Sequence, residues 1–324
     1  MINSVVLGIG SALPARCITN DYLSKTVDTS DEWIVRRTGI QQRYILEPGQ
    51  GVSALATEAS KAAISNAGIS MQDIDLIIVA TTTPDKTFPS TAAIVQEKLR
   101  LSNYAAAFDI NAVCSGFVYA LSVADSLIKS DQSKCALVIG ADAMSKIVDW
   151  KDRSTCVLFG DGAGAIVLGA KQADAESKKV GIVATSLFCD GRLSGILETS
   201  GGTSTTCNSG VILMNGREVF RYAIDKMASA VQIVLSKAGL TLDQVDILIP
   251  HQANRRILNA VAEKLDVDKN KIIDTVGDYA NTSAASIPIS WDYGARNGMI
   301  RKGQTIALTA MGAGATWGAA VIRV

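Results

Sequence analysis

Three residues of this chain have side chains and settings suited to shared covalent chemistry: Cys114, His251 and Asn281. Cys114 stands in DINAVCSGFVYALSVADSLI, where an apolar run stops and Phe117, Leu121, Ala124 and Ile128 mark one face of a helix. A thiol at a helix N-terminus is expected to have a lowered pKa, because free backbone N–H groups and the positive dipole end favour the thiolate. The small neighbours Ser115 and Gly116 are expected to leave it accessible. His251 is the single histidine in the chain. It closes the strand-like run DILIP and has no partners at zinc-ligand spacing. Asn281, in GDYANTSAAS, reads alone as a turn or N-cap residue ahead of a helix near Ser283.

A cysteine, a histidine and an asparagine at one site support two chemistries. In one, a cysteine hydrolase, the histidine is a base and the asparagine orients it. In the other, neutral imidazole and carboxamide both act as donors to a thioester oxygen as it becomes an enolate. The second use suits a carbanion formed by loss of CO₂, since no proton need be removed. The loop MGAGATWGAA near the C-terminus offers small-residue backbone for an oxyanion hole and no second cysteine.

The elements that must position these residues come from an internal duplication. NAGISMQDIDLIIVA (66–80) and KAGLTLDQVDILIPH (237–251) align, with Ala67, Gly68 and Asp75 recurring as Ala238, Gly239 and Asp246. Each copy reads as helix, glycine stop, turn and buried strand. Val52, Leu55, Ala56, Ala59, Ala62 and Ala63 predict the first helix, Arg221 to Ala238 the second. AAAFDINAVCSG and KIIDTVGDYANTS each predict a strand, a tight turn and a helix start, which puts Cys114 and Asn281 at equivalent turns. Uniformly apolar strands alternating with helices predict a mostly parallel sheet covered on both faces. Two similar α/β halves follow, 1–170 and 171–324, with no Pro/Ser-rich linker between them.

Composition narrows the function class. The chain has 324 residues, 48% of them hydrophobic, enough for a large core, and 31 basic residues balance 31 acidic ones. Nothing in that balance calls for nucleic acid or an anionic membrane surface. No run of about 18 apolar residues predicts a membrane span, and the N-terminal segment reads as a strand and turn rather than a leader. The six cysteines at 17, 114, 135, 156, 189 and 207 contain no CxxC pair and read as reduced thiols of a cytoplasmic protein. GIGSAL (8–13) begins like a dinucleotide fingerprint but lacks the third glycine. Neither a nicotinamide cofactor nor a metal is expected.

TSDEWIVRRTGI, DINAVCSGF, WKDRSTCVLFGDGAGA, HQANRRI, GDYANTSAASIP and GAGATWGAA, in that order along the chain, resemble the thiolase-fold condensing enzymes. Within them they are similar to the beta-ketoacyl-acyl-carrier-protein synthase III family. The resemblance implies a thiolase-like α/β fold, in which two duplicated halves with mixed or parallel five-stranded sheets sandwich helices in αβαβα layers. It implies a short acyl-CoA as substrate rather than cofactor, with Cys114 taking the acyl group. Malonyl-acyl carrier protein is then decarboxylated and condensed, with His251 and Asn281 stabilising the enolate. The backbone N–H groups of Cys114 and Ala313 would form the oxyanion hole. Elongating synthases of this fold use two histidines, and this chain has one.

The same resemblance assigns coenzyme A contacts to Trp33 and Arg153 on either side of the adenine, Arg37 on phosphate and Asn254 on pantetheine. It assigns carrier-protein contacts to Arg256, Arg221 and Lys264. Phe88 would cross a homodimer interface to shape the partner's acyl pocket, and Met311 would lie behind the nucleophile. Met311 replaces an aromatic residue and Ala313 a glycine of the family pattern, two departures that bear on primer choice. A related acyltransferase of secondary metabolism uses the same cysteine and is the alternative within the fold.

Overall fold

The structure is a computed structural model that describes residues 2–172 and 180–324. Its strands are β1 (Ile2–Ala12), β2 (Arg16–Thr19), β3 (Gln42–Ile45), β4 (Leu76–Ala80), β5 (Ala106–Ile110), β6 (Cys135–Ala143) and β7 (Asp161–Gln172), then β8 (Gly181–Cys189), β9 (Leu197–Thr199), β10 (Ile212–Met214), β11 (Ile247–Pro250), β12 (Thr305–Gly312) and β13 (Thr316–Arg323). The helices are α1 (Asn20–Leu23), α2 (Asp31–Thr38), α3 (Val52–Ala67), α4 (Thr91–Lys98), α5 (Gly116–Lys129), α6 (Gly216–Ala238), α7 (Arg255–Leu265), α8 (Val276–Tyr279) and α9 (Ser286–Arg296).

One sheet has the order β1-β7-β6-β4-β5 and the other β11-β12-β13-β8. Read from the opposite edge, the second repeats the first: β8, β13, β12 and β11 stand where β1, β7, β6 and β4 stand. At these four positions one parallel pairing (β4 with β6, β11 with β12) adjoins two antiparallel ones, and the first sheet adds a second parallel pairing, β4 with β5. The sheets are therefore mixed. Among the described residues the second also has four strands rather than the five expected. In place of a fifth, Ile272 makes an isolated parallel bridge to Leu248: the chain emerges from a 3-10 turn at Lys269–Lys271 just before it and enters α8 at Val276 soon after, which leaves room for one pairing.

Five layers result. Helices α3 and α4 cover the outer face of the first sheet, α6 and α7 lie on the outer side of the second, and α5 and α9 run between the sheets. The central layer buries Phe117, Leu121 and Ile128 of α5 with Ile287 and Trp291 of α9 against both sheets. Burial of this kind contributes about 1.5–3 kcal/mol per large apolar side chain. Helix ends follow the sequence: Gly68 (φ 67°) and Gly239 (φ 66°) cap α3 and α6 in the left-handed conformation. α6 starts at Gly216, earlier than Arg221, because the Asn215 side chain accepts the Glu218 N–H and caps it there.

Candidate active site

Cys114 lies in a single 3-10 turn, Val113–Ser115, between the end of β5 and the start of α5. The turn is shaped by Asn111, whose side-chain oxygen accepts the Val113 N–H at 3.3 Å, and by Val113 at φ 48°. A β-branched residue in that region stores about 1–3 kcal/mol of strain, typical of a constrained functional turn. The second half repeats the device. Asn281 accepts the Ser283 N–H at 2.9 Å, Ser283 has φ 52°, and the 3-10 turn Ser283–Ala285 leads into α9. The structural counterpart of Asn281 is thus Asn111, and that of Cys114 is Ala284. The equivalence of Cys114 with Asn281 expected from the sequence is corrected by three residues, although both turns do meet at one place.

Cys114, His251 and Asn281 line a common cavity of about 60 Å³, together with Asn254, Met311 and Gly312. Cys114 also lines a second cavity of about 230 Å³, whose walls include Thr82, Met144, Ile147, Phe159, Leu197, Ile212 and Ala313. Neither His251 nor Asn281 lines that second cavity. Cys114 therefore stands between a small chamber that holds His251 and Asn281 among mostly apolar walls and a larger one that lacks both, where Asn111, Glu198 and Thr199 join the apolar residues.

Close backbone packing holds the three turns together. A Cβ on Gly312 would fall 2.8 Å from both the Cys114 nitrogen and the Ala112 carbonyl oxygen, so only glycine lets the end of β12 seat against the Cys114 turn. On Gly140 of β6 it would fall 2.3 Å from the Ala284 carbonyl oxygen, which fixes the Asn281 turn against the first sheet. Beside it the buried Asp142 accepts from the Thr82 N–H (2.8 Å), the Ala284 N–H (3.1 Å), and the Thr81 and Thr83 hydroxyls (3.2 and 3.1 Å). One carboxylate ties the loop after β4 to the Asn281 turn. Burial raises its pKa, and these donors oppose the rise.

Electrostatics depart from expectation at the thiol. Cys114 is 5% exposed rather than accessible at the surface. Burial pushes it up to about 12, and Asp142 adds to the rise. The Ser283 hydroxyl beside it works the other way without a hydrogen bond of normal geometry. The N-terminus of α5 has no side-chain cap and no acidic residue in its first turn, so its dipole is available to an anion. Desolvation nevertheless outweighs it, and the thiol rests protonated. His251 is equally buried, and desolvation pushes it down to about 3, so its imidazole is neutral at physiological pH. Its Nδ1 lies 2.7 Å from Ser286 Oγ, which leaves Nε2 for the cavity. Asn281 spends its oxygen on the Ser283 N–H, which leaves its NH₂ as the free end.

The remaining predicted residues fall in two places. Trp33 and Arg37 project from α2, and the Arg153 guanidinium already lies 4.8 Å from the centre of the Trp33 ring, held by the Asp28 carbonyl at 2.7 Å. Arg37 lies 5.7 Å from the same ring. A ring inserted between Trp33 and Arg153 needs about 7 Å, twice a contact distance, so the arginine must swing outward. Gly39 at the end of α2 packs on Arg255, the neighbour of Asn254, which connects this surface cluster to the cavity. Asn254 caps α7 by accepting the Ile257 N–H at 3.0 Å. Arg256 lies 5.1 Å above Phe220, with no ion pair among the described residues, whereas Arg221 pairs with Glu218 and Lys264 with Asp225, each at 2.7 Å. Phe88 is 83% exposed and lines neither cavity of its own chain. Met311 lines the small chamber rather than the larger one.

No helix among the described residues is long and apolar enough to cross a membrane, and among them no cluster of three potential metal ligands occurs. The glycines of GIGSAL lie inside β1, paired with β7, and do not open a helix.

Residues 108–191 match the family described as 3-oxoacyl-[acyl-carrier-protein (ACP)] synthase III, and residues 235–324 match its C-terminal domain. Among curated proteins, the beta-ketoacyl-[acyl-carrier-protein] synthase III of Wolbachia pipientis wMel is 54% identical over 324 residues, covering 100% of both chains. That of Rhizorhabdus wittichii is 53% identical over 323 residues, again covering 100% of both. Among solved structures, 3-oxoacyl-[acyl-carrier-protein] synthase III from Aquifex aeolicus VF5 superimposes with a TM-score of 0.93 at 47% identity, covering 99% of this chain and 100% of that one. With its thiolase-like layers, its lone histidine and its cysteine between two chambers, the chain belongs to the beta-ketoacyl-[acyl-carrier-protein] synthase III family.

Proposed function

We propose that this chain catalyses the decarboxylative condensation of a short acyl-CoA, acetyl-CoA foremost, with malonyl-acyl carrier protein, the initiating step of fatty acid biosynthesis. The products are 3-oxoacyl-acyl carrier protein, CoA and CO₂. The observation that carries the reading is the placement of Cys114 between a chamber with two neutral donors and a larger chamber without them.

The chemistry follows from that placement. The Cys114 sulfur attacks the acyl-CoA carbonyl, the carbon–sulfur bond to CoA breaks, and the thiol proton ends on the departing CoA. A proton exchanged between two thiols leaves no net demand for a base, which suits a thiol held protonated by burial. The N–H groups of Cys114 and Ala313 stabilise the tetrahedral oxyanion. The acyl chain then lies in the 230 Å³ chamber. Malonyl thioester enters beside His251 and Asn281, its carboxylate leaves as CO₂, and the bonding pair becomes an enolate held by the two donors. The enolate carbon attacks the Cys114 thioester and expels the thiolate, which takes a proton from water, the one proton the overall condensation consumes.

Trp33, Arg37, Arg153 and Asn254 bind coenzyme A in this reading, with the partner's Phe88 bounding the acyl group in a homodimer, whereas Met311 borders the malonyl side, in the chamber of the two donors. Arg256 leads the carrier-protein contact, since Arg221 and Lys264 are already paired within the chain. Residues 1–170 carry the nucleophile and 171–324 the two donors, and the repeated strand order supports that division. The reaction needs no cofactor, and the enzyme works in the cytoplasm. Purified protein given acetyl-CoA and malonyl-acyl carrier protein is expected to release CO₂ and CoA in equal amounts with 3-oxoacyl-acyl carrier protein. CoA release into free acid alone would instead favour the hydrolase, and transfer to a non-malonyl acceptor the secondary-metabolism reading.

A further inference from the structure

The imidazole of His251 can serve as a donor or as a base, and the tautomer decides which. Its Nδ1 is 2.7 Å from the Oγ of Ser286, the first residue of α9, and both residues are 2% exposed. That hydroxyl has a second partner. The Gln252 backbone N–H points at the same oxygen from 3.3 Å. An N–H can only donate, so this bond uses a lone pair of Oγ and leaves its proton unspent.

Gln252 is itself held rigidly. Its side-chain NH₂ donates to the Pro250 and Ile273 carbonyls at 2.7 and 3.1 Å, and its oxygen accepts the Thr275 N–H at 2.8 Å. The backbone of Ser286 is fixed in turn, since the Ser290 hydroxyl donates to its carbonyl at 2.8 Å. Among the described residues, the sole hydrogen-bond acceptor recorded for the Ser286 hydroxyl proton is Nδ1 of His251. Were Nδ1 protonated, Ser286 Oγ would accept two N–H groups and bury its own proton without an acceptor, which buried hydroxyls avoid.

We infer that Ser286 donates to Nδ1 and locks His251 as the Nε2–H tautomer, making Ser286 a positioning residue that holds the imidazole as a hydrogen-bond donor toward the small chamber. In this tautomer Nε2 has no lone pair with which to take the Cys114 proton. The consequence for catalysis rests on the reading of His251 as an enolate donor, whereas the lock itself does not.

Because the chain has one histidine, histidine labelled with ¹⁵N gives one pair of ring nitrogen signals. In the substrate-free wild type at neutral pH, Nδ1 is expected to be pyridine-like and Nε2 pyrrole-like. Ser286→Ala should move both signals toward a mixture of tautomers, and Ser286→Thr, which restores a hydroxyl, should return them. In parallel, Ser286→Ala should slow malonyl decarboxylation by about 10- to 100-fold, up to the ~10²-fold that misplacing a reacting group by ~1 Å can cost, and change Cys114 acylation by less than about 3-fold, under 1 kcal/mol at 1.36 kcal/mol per decade. A pyrrole-like Nδ1 in the wild type overturns the inference. So do ring signals that Ser286→Ala leaves unmoved. Signals that shift while decarboxylation stays at the wild-type rate uphold the lock and overturn the donor role of His251.

Discussion

Asn281→Asp separates the two half-reactions most sharply. The Asn281 oxygen is committed to the Ser283 N–H at 2.9 Å, so the substitution exchanges the cavity-facing NH₂ for an oxygen while the other contact can persist. Removing one preorganised donor from a developing oxyanion costs about 2.7–4 kcal/mol, or about 10²–10³ in rate; Asn281→Ala should show that loss alone. An ionised carboxylate adds repulsion, about 4 kcal/mol at ~4 Å with an effective dielectric of ~20, a further ~10³-fold. The new carboxyl is nearly buried, and burial raises a carboxyl pKa. Lowering the pH should therefore protonate it, restore a donor and recover part of the decarboxylation. Acyl transfer from CoA to Cys114 uses neither donor and should stay within about tenfold of wild type. The assay is stopped-flow acylation by acetyl-CoA, set against CO₂ release from malonyl-acyl carrier protein between pH 5.5 and 8, on protein checked by thermal melting. Equal losses in both half-reactions, or an Asp variant indistinguishable from Ala at every pH, would refute the division of roles.

With the His251 imidazole pushed from 6.5 down to about 3, decarboxylation should show no inflection near pH 6.5, and a step there in the rate profile would contradict a neutral donor. The same shift makes stability depend on pH: the unfolded chain binds more protons below 6.5, so this contribution is complete above 6.5 and declines as pH falls toward 3, by about 2 kcal/mol at pH 5. Urea midpoints at pH 7.5 and 5 should therefore differ less in His251→Gln than in wild type. Gly312→Ala forces a methyl to 2.8 Å from Cys114 N; it should cost about 1–3 kcal/mol of stability and slow Cys114 acylation at least about tenfold, and normal acylation would show that the contact yields. Trp33→Ala and Arg153→Ala should each raise KM for acyl-CoA about 2- to 30-fold, the range of one cation–π contact, with kcat held. An unchanged KM in both would remove the adenine from that site.

Cys114 and His251 were legible because each ends an apolar strand, a pattern that local sequence carries. The duplication was legible for the same reason, down to the glycine stops at 68 and 239. The pairing of Asn281 with Asn111 was not, because what defines it is a side chain bonded to the backbone two residues on, which leaves no trace in hydrophobic periodicity. The dipole, which is local, does not set the thiol's pKa: burial does, and it comes from β12 and the Asn281 turn, distant in sequence, closing over the thiol. The larger chamber draws Thr82, Met144, Phe159, Leu197 and Ile212 from five separate segments, so no window of sequence contains it. Asp142 did leave a signal, a lone acidic residue inside the apolar strand ALVIGADA. Its partners at 81–83 and 284 required the fold.

The central claim is that Cys114 carries the acyl group between two substrates. Protein mixed with acetyl-CoA, quenched in acid, digested and weighed should give the Cys114 peptide one acetyl group heavier, with the other five cysteines unmodified. A chase with malonyl-acyl carrier protein should remove that acetyl group and return it in the 3-oxoacyl product. An unmodified Cys114 peptide, or an acetyl group that the chase leaves in place, would contradict the account.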